Sequence, residues 1–68
     1  LAVRKAVLDH LKSNQGTAQT ASQVAEAIGQ PEKTTWVFKI LENLAVNQEN
    51  TFERIPTDIP LEDQFLAR

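Results

Sequence analysis

Hydrophobic positions recur at helical spacing in three segments of this chain. Val3, Val7 and Leu11 lie four residues apart in the first segment, with charged residues between them, and this period predicts an amphipathic helix. The three predicted helices are residues 1–13, 21–28 and 31 to 44 or 45. The third helix gathers its apolar residues on one face, and these are Val37, Ile40, Leu41 and Leu44. We therefore expect a core built from three helices.

Polar residues mark the ends of the predicted helices. Thr20-Ala21-Ser22-Gln23 has the capping-box pattern, in which Ser or Thr is followed three residues later by Glu or Gln. Gly16 and Gly29 follow the first two helices and can end them in the left-handed conformation. Pro31 suits the first position of the third helix. These signals place the second and third helices close together, joined by a tight turn.

After residue 45 the pattern favours short extended segments. Val46–Gln48 and Thr51–Ile55 are predicted to form a small β-hairpin around a Glu49-Asn50 turn, with Pro56 closing it. The remaining segment, 57–68, is acidic and apolar, and residues 61–68 resemble the start of a short helix. Residues 1–56 are thus predicted to be one domain. Residues 57–68 are either a tail that docks on it or a linker to a missing neighbour, since a chain that starts at Leu1 is expected to be a piece of a longer protein.

Composition excludes several classes of function. The 68 residues contain no Cys and one His, so a thiolate metal site, a His-rich metal site and a thiol nucleophile are all excluded. No nucleophile–base pair and no phosphate-binding Gly loop is recognisable. We expect no enzymatic activity, cofactor, metal or small-molecule site. No apolar run reaches the roughly 18–20 residues of a membrane span, and a cytoplasmic protein is predicted.

The order of the elements resembles that of a winged helix-turn-helix domain. The resemblance lies in Thr20 to Gly29, in Thr34-Thr35 and in Leu41-Glu42-Asn43-Leu44, and it covers about residues 1–55. Many members of this superfamily have a stretch such as Thr-x-x-x-Ile-Ala-x-x-Leu-Gly, then a Thr that opens the next helix and a Leu-x-x-Leu before the wing. The fold it implies is mainly α, with three helices and a small β-hairpin.

The resemblance implies DNA binding, in a transcriptional regulator or a larger multidomain protein. The third helix would read the major groove and the hairpin would contact the backbone. The residues implied as nucleic-acid contacts are Gln30, Lys33, Thr34, Thr35, Lys39, Asn43 and Arg54. Their amide, ammonium, hydroxyl and guanidinium groups can bind base edges or phosphates.

The charge distribution favours a second hypothesis. Seven Lys or Arg and nine Asp or Glu give a net charge of −2, and residues 1–55 are neutral overall, whereas DNA-binding domains are usually basic. The sequence also has more apolar and aromatic residues than a small three-helix core obviously absorbs. The alternative is therefore a protein-binding or homodimerising winged helix without nucleic-acid binding. Its expected contact residues are Trp36, Phe38 and Phe65.

Overall fold

Three helices and a small antiparallel sheet make up the computed structural model, which describes residues 3–68. The helices are α1 (Val3–Ser13), α2 (Ala21–Ala27) and α3 (Thr34–Asn47), and the strands are β1 (Gln19–Thr20), β2 (Phe52–Ile55) and β3 (Gln64–Ala67). Single 3-10 turns at Pro31–Lys33 and Pro60–Glu62 precede α3 and β3. The three predicted helices are confirmed, while Leu1 and Ala2 of the first prediction lie outside the described residues.

The start of α2 confirms the predicted capping box. Thr20 Oγ1 accepts a hydrogen bond from Gln23 N at 3.2 Å, and Gln23 Oε1 accepts one from Thr20 N at 2.9 Å. Gly29 follows the helix with φ +78°, a conformation that residues with a Cβ rarely adopt. The cap and the glycine together set where α2 begins and where the chain turns towards α3.

The sheet differs from the predicted hairpin. Strand β3 is central and pairs antiparallel with both β1 and β2, so the order is β1-β3-β2. Arg54 in β2 and Gln19 in β1 are both register partners of Phe65. The prediction of a strand at 46–48 is wrong because α3 continues to Asn47 and ends with Gln48 N bonded to Leu44 O.

The predicted helix at 61–68 is also wrong. Pro60 starts only a single 3-10 turn, and Asp63 then adopts an extended conformation with φ −57° and ψ 142°. From Gln64 to Ala67 every second side chain is buried, which is the period of a strand. Phe65 and Ala67 complete the core, so residues near the end of the chain provide the strand that joins the other two.

The core lies between the three helices and one face of the sheet. Ala21 and Ala25 are fully buried, and their small side chains let α3 pack closely across α2. All four predicted apolar positions of α3 are buried, which confirms its inner face. The buried apolar residues are Val3, Val7, Leu11, Ala21, Val24, Ala25, Val37, Phe38, Ile40, Leu41, Leu44, Phe52, Phe65 and Ala67.

Candidate nucleic-acid interface

One side of α3 is open to solvent and carries three of the seven predicted contact residues. Thr35, Lys39 and Asn43 are exposed and lie four residues apart, which places them in one row along the helix. Trp36 lies beside this row with 40% of its surface exposed. We call Thr35, Trp36, Lys39 and Asn43 the outer face of α3. The helix exposes this face because its other side fills the core.

The residues that lead into α3 extend the outer face. Lys33 is half-buried, and its Nζ lies 4.7 Å from the centroid of the Trp36 ring, which is within the range of a cation–π interaction. Thr34 donates a hydrogen bond from Oγ1 to the carbonyl oxygen of Pro31 at 2.8 Å, so its hydroxyl proton is already used. Gln30 lies before the 3-10 turn, half-buried, with its backbone N bonded to Ala25 O at 2.8 Å.

A shallow groove of about 430 Å³ runs along this part of the surface. The groove is lined by Glu32, Lys33, Thr35, Trp36 and Lys39. It combines an exposed aromatic ring with two ammonium groups and one carboxylate. Such a groove can hold a flat or apolar group while the lysines bind an anion.

Arg54 is bound by two carboxylates. Its Nε and Nη2 lie 2.7 Å and 2.6 Å from Asp63 Oδ2, and its Nη1 lies 3.1 Å from Glu42 Oε2. The guanidinium carbon is also 5.5 Å from the ring centroid of Phe38 and 5.6 Å from that of Phe65. The charge of Arg54 is therefore neutralised within the fold, where it joins β2, α3 and the end of the β2–β3 loop.

Asp63 organises this cluster and was missed by sequence reasoning. It is the buried charged residue among those described, with 3% of its surface exposed. Its Oδ1 accepts a hydrogen bond from Thr57 N at 2.7 Å. That bond lowers the pKa of Asp63 from its ordinary 3.8, and the hydrogen bonds and charge of Arg54 lower it further against the effect of desolvation. The sequence signal that could have revealed this role is that Asp63 directly precedes a segment in which apolar residues alternate, Phe65 and Ala67.

The β2–β3 loop, residues 56–63, is acidic and partly apolar. Asp58 and Glu62 are exposed, and the sequence from 55 to 67 has no Lys or Arg. Ile59 and Leu61 expose 55% and 52% of their surfaces. This loop lacks the basic side chains that usually contact a phosphate backbone.

The residues of the alternative protein-binding set lie in two different environments. Trp36 is at the surface, whereas Phe38 and Phe65 are buried and pack edge to face with ring centroids 6.1 Å apart and an interplanar angle of 76°. The two phenylalanines fill the core between α3 and β3. Only Trp36 of this set is accessible to a partner in the folded domain.

His10 has a structural environment between α1 and β1. Its Nε2 lies 2.6 Å from Gln19 Oε1, and Asn14 Nδ2 lies 3.4 Å from its Nδ1. These contacts connect α1 with β1. In the part of the chain that the structure describes, no group of three His, Cys, Asp or Glu residues is placed to hold a metal ion. Among residues 3–68, none of the helices has the length and apolar character that crossing a membrane requires.

Comparison of the chain with protein-family models, with curated proteins and with solved structures finds no match.

Proposed function

We propose that this chain is a DNA-binding winged-helix module that contacts DNA through the outer face of α3. The observation that carries the proposal is the exposed row of Thr35, Lys39 and Asn43 on the helix that follows the capped α2. The arrangement of three helices and a sheet of order β1-β3-β2 is compatible with a winged helix. In that fold the corresponding helix enters the major groove.

The chemistry of the outer face suits both kinds of DNA contact. Asn43 can bind an adenine edge through two hydrogen bonds, and Lys39 can bind guanine or phosphate. Thr35 can donate to a phosphate or contact a thymine methyl group. In a transcriptional regulator or a larger multidomain protein, these contacts would select the site to which the whole protein binds.

Local charge supports the proposal better than the net charge does. Glu42 lies on α3 and is paired with Arg54 at 3.1 Å, but Arg54 is shared with Asp63, so these three groups together carry a charge of −1. The groove beside the outer face holds two lysines and one glutamate. The outer face is therefore mildly positive, although the chain as a whole carries −2.

An NMR titration with a mixed-sequence DNA duplex tests this function. Amide shifts of the isotope-labelled protein should cluster at Thr35, Lys39 and Asn43 and diminish as salt is raised, because binding to phosphates releases counterions. The amides of α1 provide the internal control, since that helix lies away from the outer face. If no amide shifts even at low salt, binding of duplex DNA by α3 is excluded.

A second candidate function is protein binding, favoured by the apolar side chains of the β2–β3 loop. Ile59 and Leu61 are both more than half exposed, and a contiguous exposed apolar patch can mark a contact surface. The substitution pair Ile59→Ser and Leu61→Ser tests it. Sedimentation should show self-association of the unmodified chain that the double variant loses. A monomer at all concentrations counts against homodimerisation through this loop.

A further inference from the structure

The single tryptophan of the chain lies between two lysines on the surface. Lys33, Trp36 and Lys39 follow one another at intervals of three residues, so their side chains are neighbours along the helix. Lys33 ends the 3-10 turn that leads into α3, and Trp36 and Lys39 lie within the first two turns of that helix. The three form a row in which an aromatic ring has a cation on each side.

The ring of Trp36 is accessible within this row. Its surface is 40% exposed, and it lines the open groove together with both lysines. Lys33 Nζ lies over the ring, 4.7 Å from its centroid, so a base that stacks on this face must move the ammonium aside. A large aromatic ring kept at the surface has no role in the core, which α3 fills with its opposite side.

We propose that this groove binds an unpaired base of single-stranded DNA, stacked on Trp36, with the flanking phosphates bound by Lys33 and Lys39. This inference rests on the proposed function and names the form of DNA that the α3 surface prefers. Aromatic rings combined with a basic groove are the general means of binding single strands, because every base has a face that can stack.

Charge complementarity favours a nucleic acid as the occupant. Two ammonium groups against the single carboxylate of Glu32 leave the groove positive, which suits a phosphate on each side of a stacked base. An apolar segment of a protein would use the ring but would leave both lysines without a counter-charge. The groove therefore matches a chain that alternates flat rings with negative charges.

The flat indole ring of Trp36 and the acidic β2–β3 loop together favour a single strand over a duplex. A duplex presents only base edges in its grooves, and an indole ring can stack only on a base that is not enclosed by its neighbours. A duplex also presents a second backbone to the protein, and the β2–β3 loop offers Asp58 and Glu62 rather than basic residues. A single strand bound along α3 avoids that loop.

Tryptophan emission tests the proposal directly, because the chain contains one Trp and no Tyr. The unmodified protein is titrated with an oligothymidylate and, separately, with a hairpin duplex of equal phosphate number. Stacking should quench the emission of Trp36 with the single strand. The same titrations are followed by the anisotropy of labelled DNA, which reports binding whether or not the ring takes part.

Three variants separate stacking from other effects. Trp36→Leu keeps an apolar side chain but removes the stacking ring, and should weaken single-strand binding roughly five- to 150-fold, the usual range for loss of one base–aromatic stack. Trp36→Phe should retain most of the affinity. Lys12→Gln, which changes an exposed residue of α1, should leave the affinity unchanged. Equal melting temperatures show that all three remain folded.

The outcomes distinguish this inference from the proposed function. Quenching by the single strand, with affinity lost in Trp36→Leu and kept in Trp36→Phe, supports both. Duplex binding at least as tight as single-strand binding, with unchanged emission, overturns the inference and leaves DNA binding by α3 intact. Absence of binding to either DNA overturns both. An emission shift that depends on protein concentration without DNA overturns the inference in favour of a protein interface at Trp36.

Discussion

Asp63 binds Arg54 through one carboxylate oxygen and the backbone of the β2–β3 loop through the other. Oδ2 lies 2.6 Å from Arg54 Nη2, and Oδ1 accepts the hydrogen bond from Thr57 N at 2.7 Å. The carboxylate therefore connects strand β2 to the loop that leads into β3. Because Arg54 also reaches Glu42 on α3, this pair joins the sheet to the helix.

Replacement of Asp63 should destabilise the domain. In Asp63→Asn the amide keeps the shape of the side chain but removes the charge that compensates Arg54, and one of its two polar positions becomes a donor. We expect a lower melting temperature than for Asp58→Asn, the matched change of an exposed Asp in the same loop. Equal melting temperatures for the two variants would contradict a structural role for Asp63.

The stability should depend on pH through the same carboxylate. The pKa of Asp63 is lowered in the folded protein, first by the hydrogen bond from Thr57 N and then by Arg54. An acid with a depressed folded pKa contributes stability above its unfolded pKa of 3.8, and this contribution is lost as pH falls through the folded value. Melting curves should show the unmodified chain losing stability below about pH 4.

Asp63→Asn provides the control for this pH dependence. The variant lacks the titrating group, so its melting temperature should fall less steeply over the same acidic range. Parallel curves for the variant and the unmodified chain would assign the acid sensitivity to other carboxylates.

Leu41→Ala should destabilise the core strongly. Leu41 is 1% exposed at the centre of the inner face of α3, and truncation of a buried Leu costs ~2–5 kcal/mol. This is a large part of the total stability expected for a domain, about 5–15 kcal/mol. Urea denaturation measures the loss. Val46→Ala in the same helix, where the side chain is 73% exposed, should change stability by no more than about 0.5 kcal/mol.

Thr20→Ala should weaken the start of α2. The hydroxyl of Thr20 accepts the hydrogen bond from Gln23 N at 3.2 Å, and loss of such a cap typically costs ~1 kcal/mol of unfolding free energy. Ser22→Ala removes a nearby exposed hydroxyl that does not cap the helix. Thermal or urea unfolding should separate the two variants, and identical curves would show that Thr20 does not stabilise α2.

Lys39→Gln should reduce the salt dependence of DNA binding. If Lys39 contacts a phosphate, its loss lowers the slope of log affinity against log salt by about 1. Lys12→Gln removes an exposed lysine of α1 and should leave the slope unchanged. Equal slopes for Lys39→Gln and the unmodified chain would place Lys39 outside the interface.

Local patterns predicted the helices well because their signals come from nearby residues. The four-residue spacing of Val3, Val7 and Leu11 and the capping box at Thr20 depend only on neighbours in the chain. The outer face of α3 follows from the same periodicity, since the side opposite a buried stripe is exposed. The winged helix-turn-helix assignment and the DNA contacts stay proposals.

The sheet and the role of Arg54 could not be predicted in the same way. A four-residue strand such as β3 makes its hydrogen bonds with β1 and β2, and β1 lies more than forty residues earlier in the chain. Within residues 61–68, Leu61 and Phe65 also fit helical spacing, so periodicity alone cannot choose between helix and strand. Arg54 looked available for DNA because the sequence does not show that Asp63 and Glu42 converge on it.

The sequence by itself determined the three helices, the cap of α2 and the inner stripe of α3, because helical hydrogen bonds and caps join residues at most a few positions apart. Only the tertiary structure decided that β3 is the central strand, that Arg54 is neutralised and that Trp36 is at the surface while Phe38 and Phe65 are buried. These features depend on which distant segments meet, and the free energy of burying the shared core selects that arrangement.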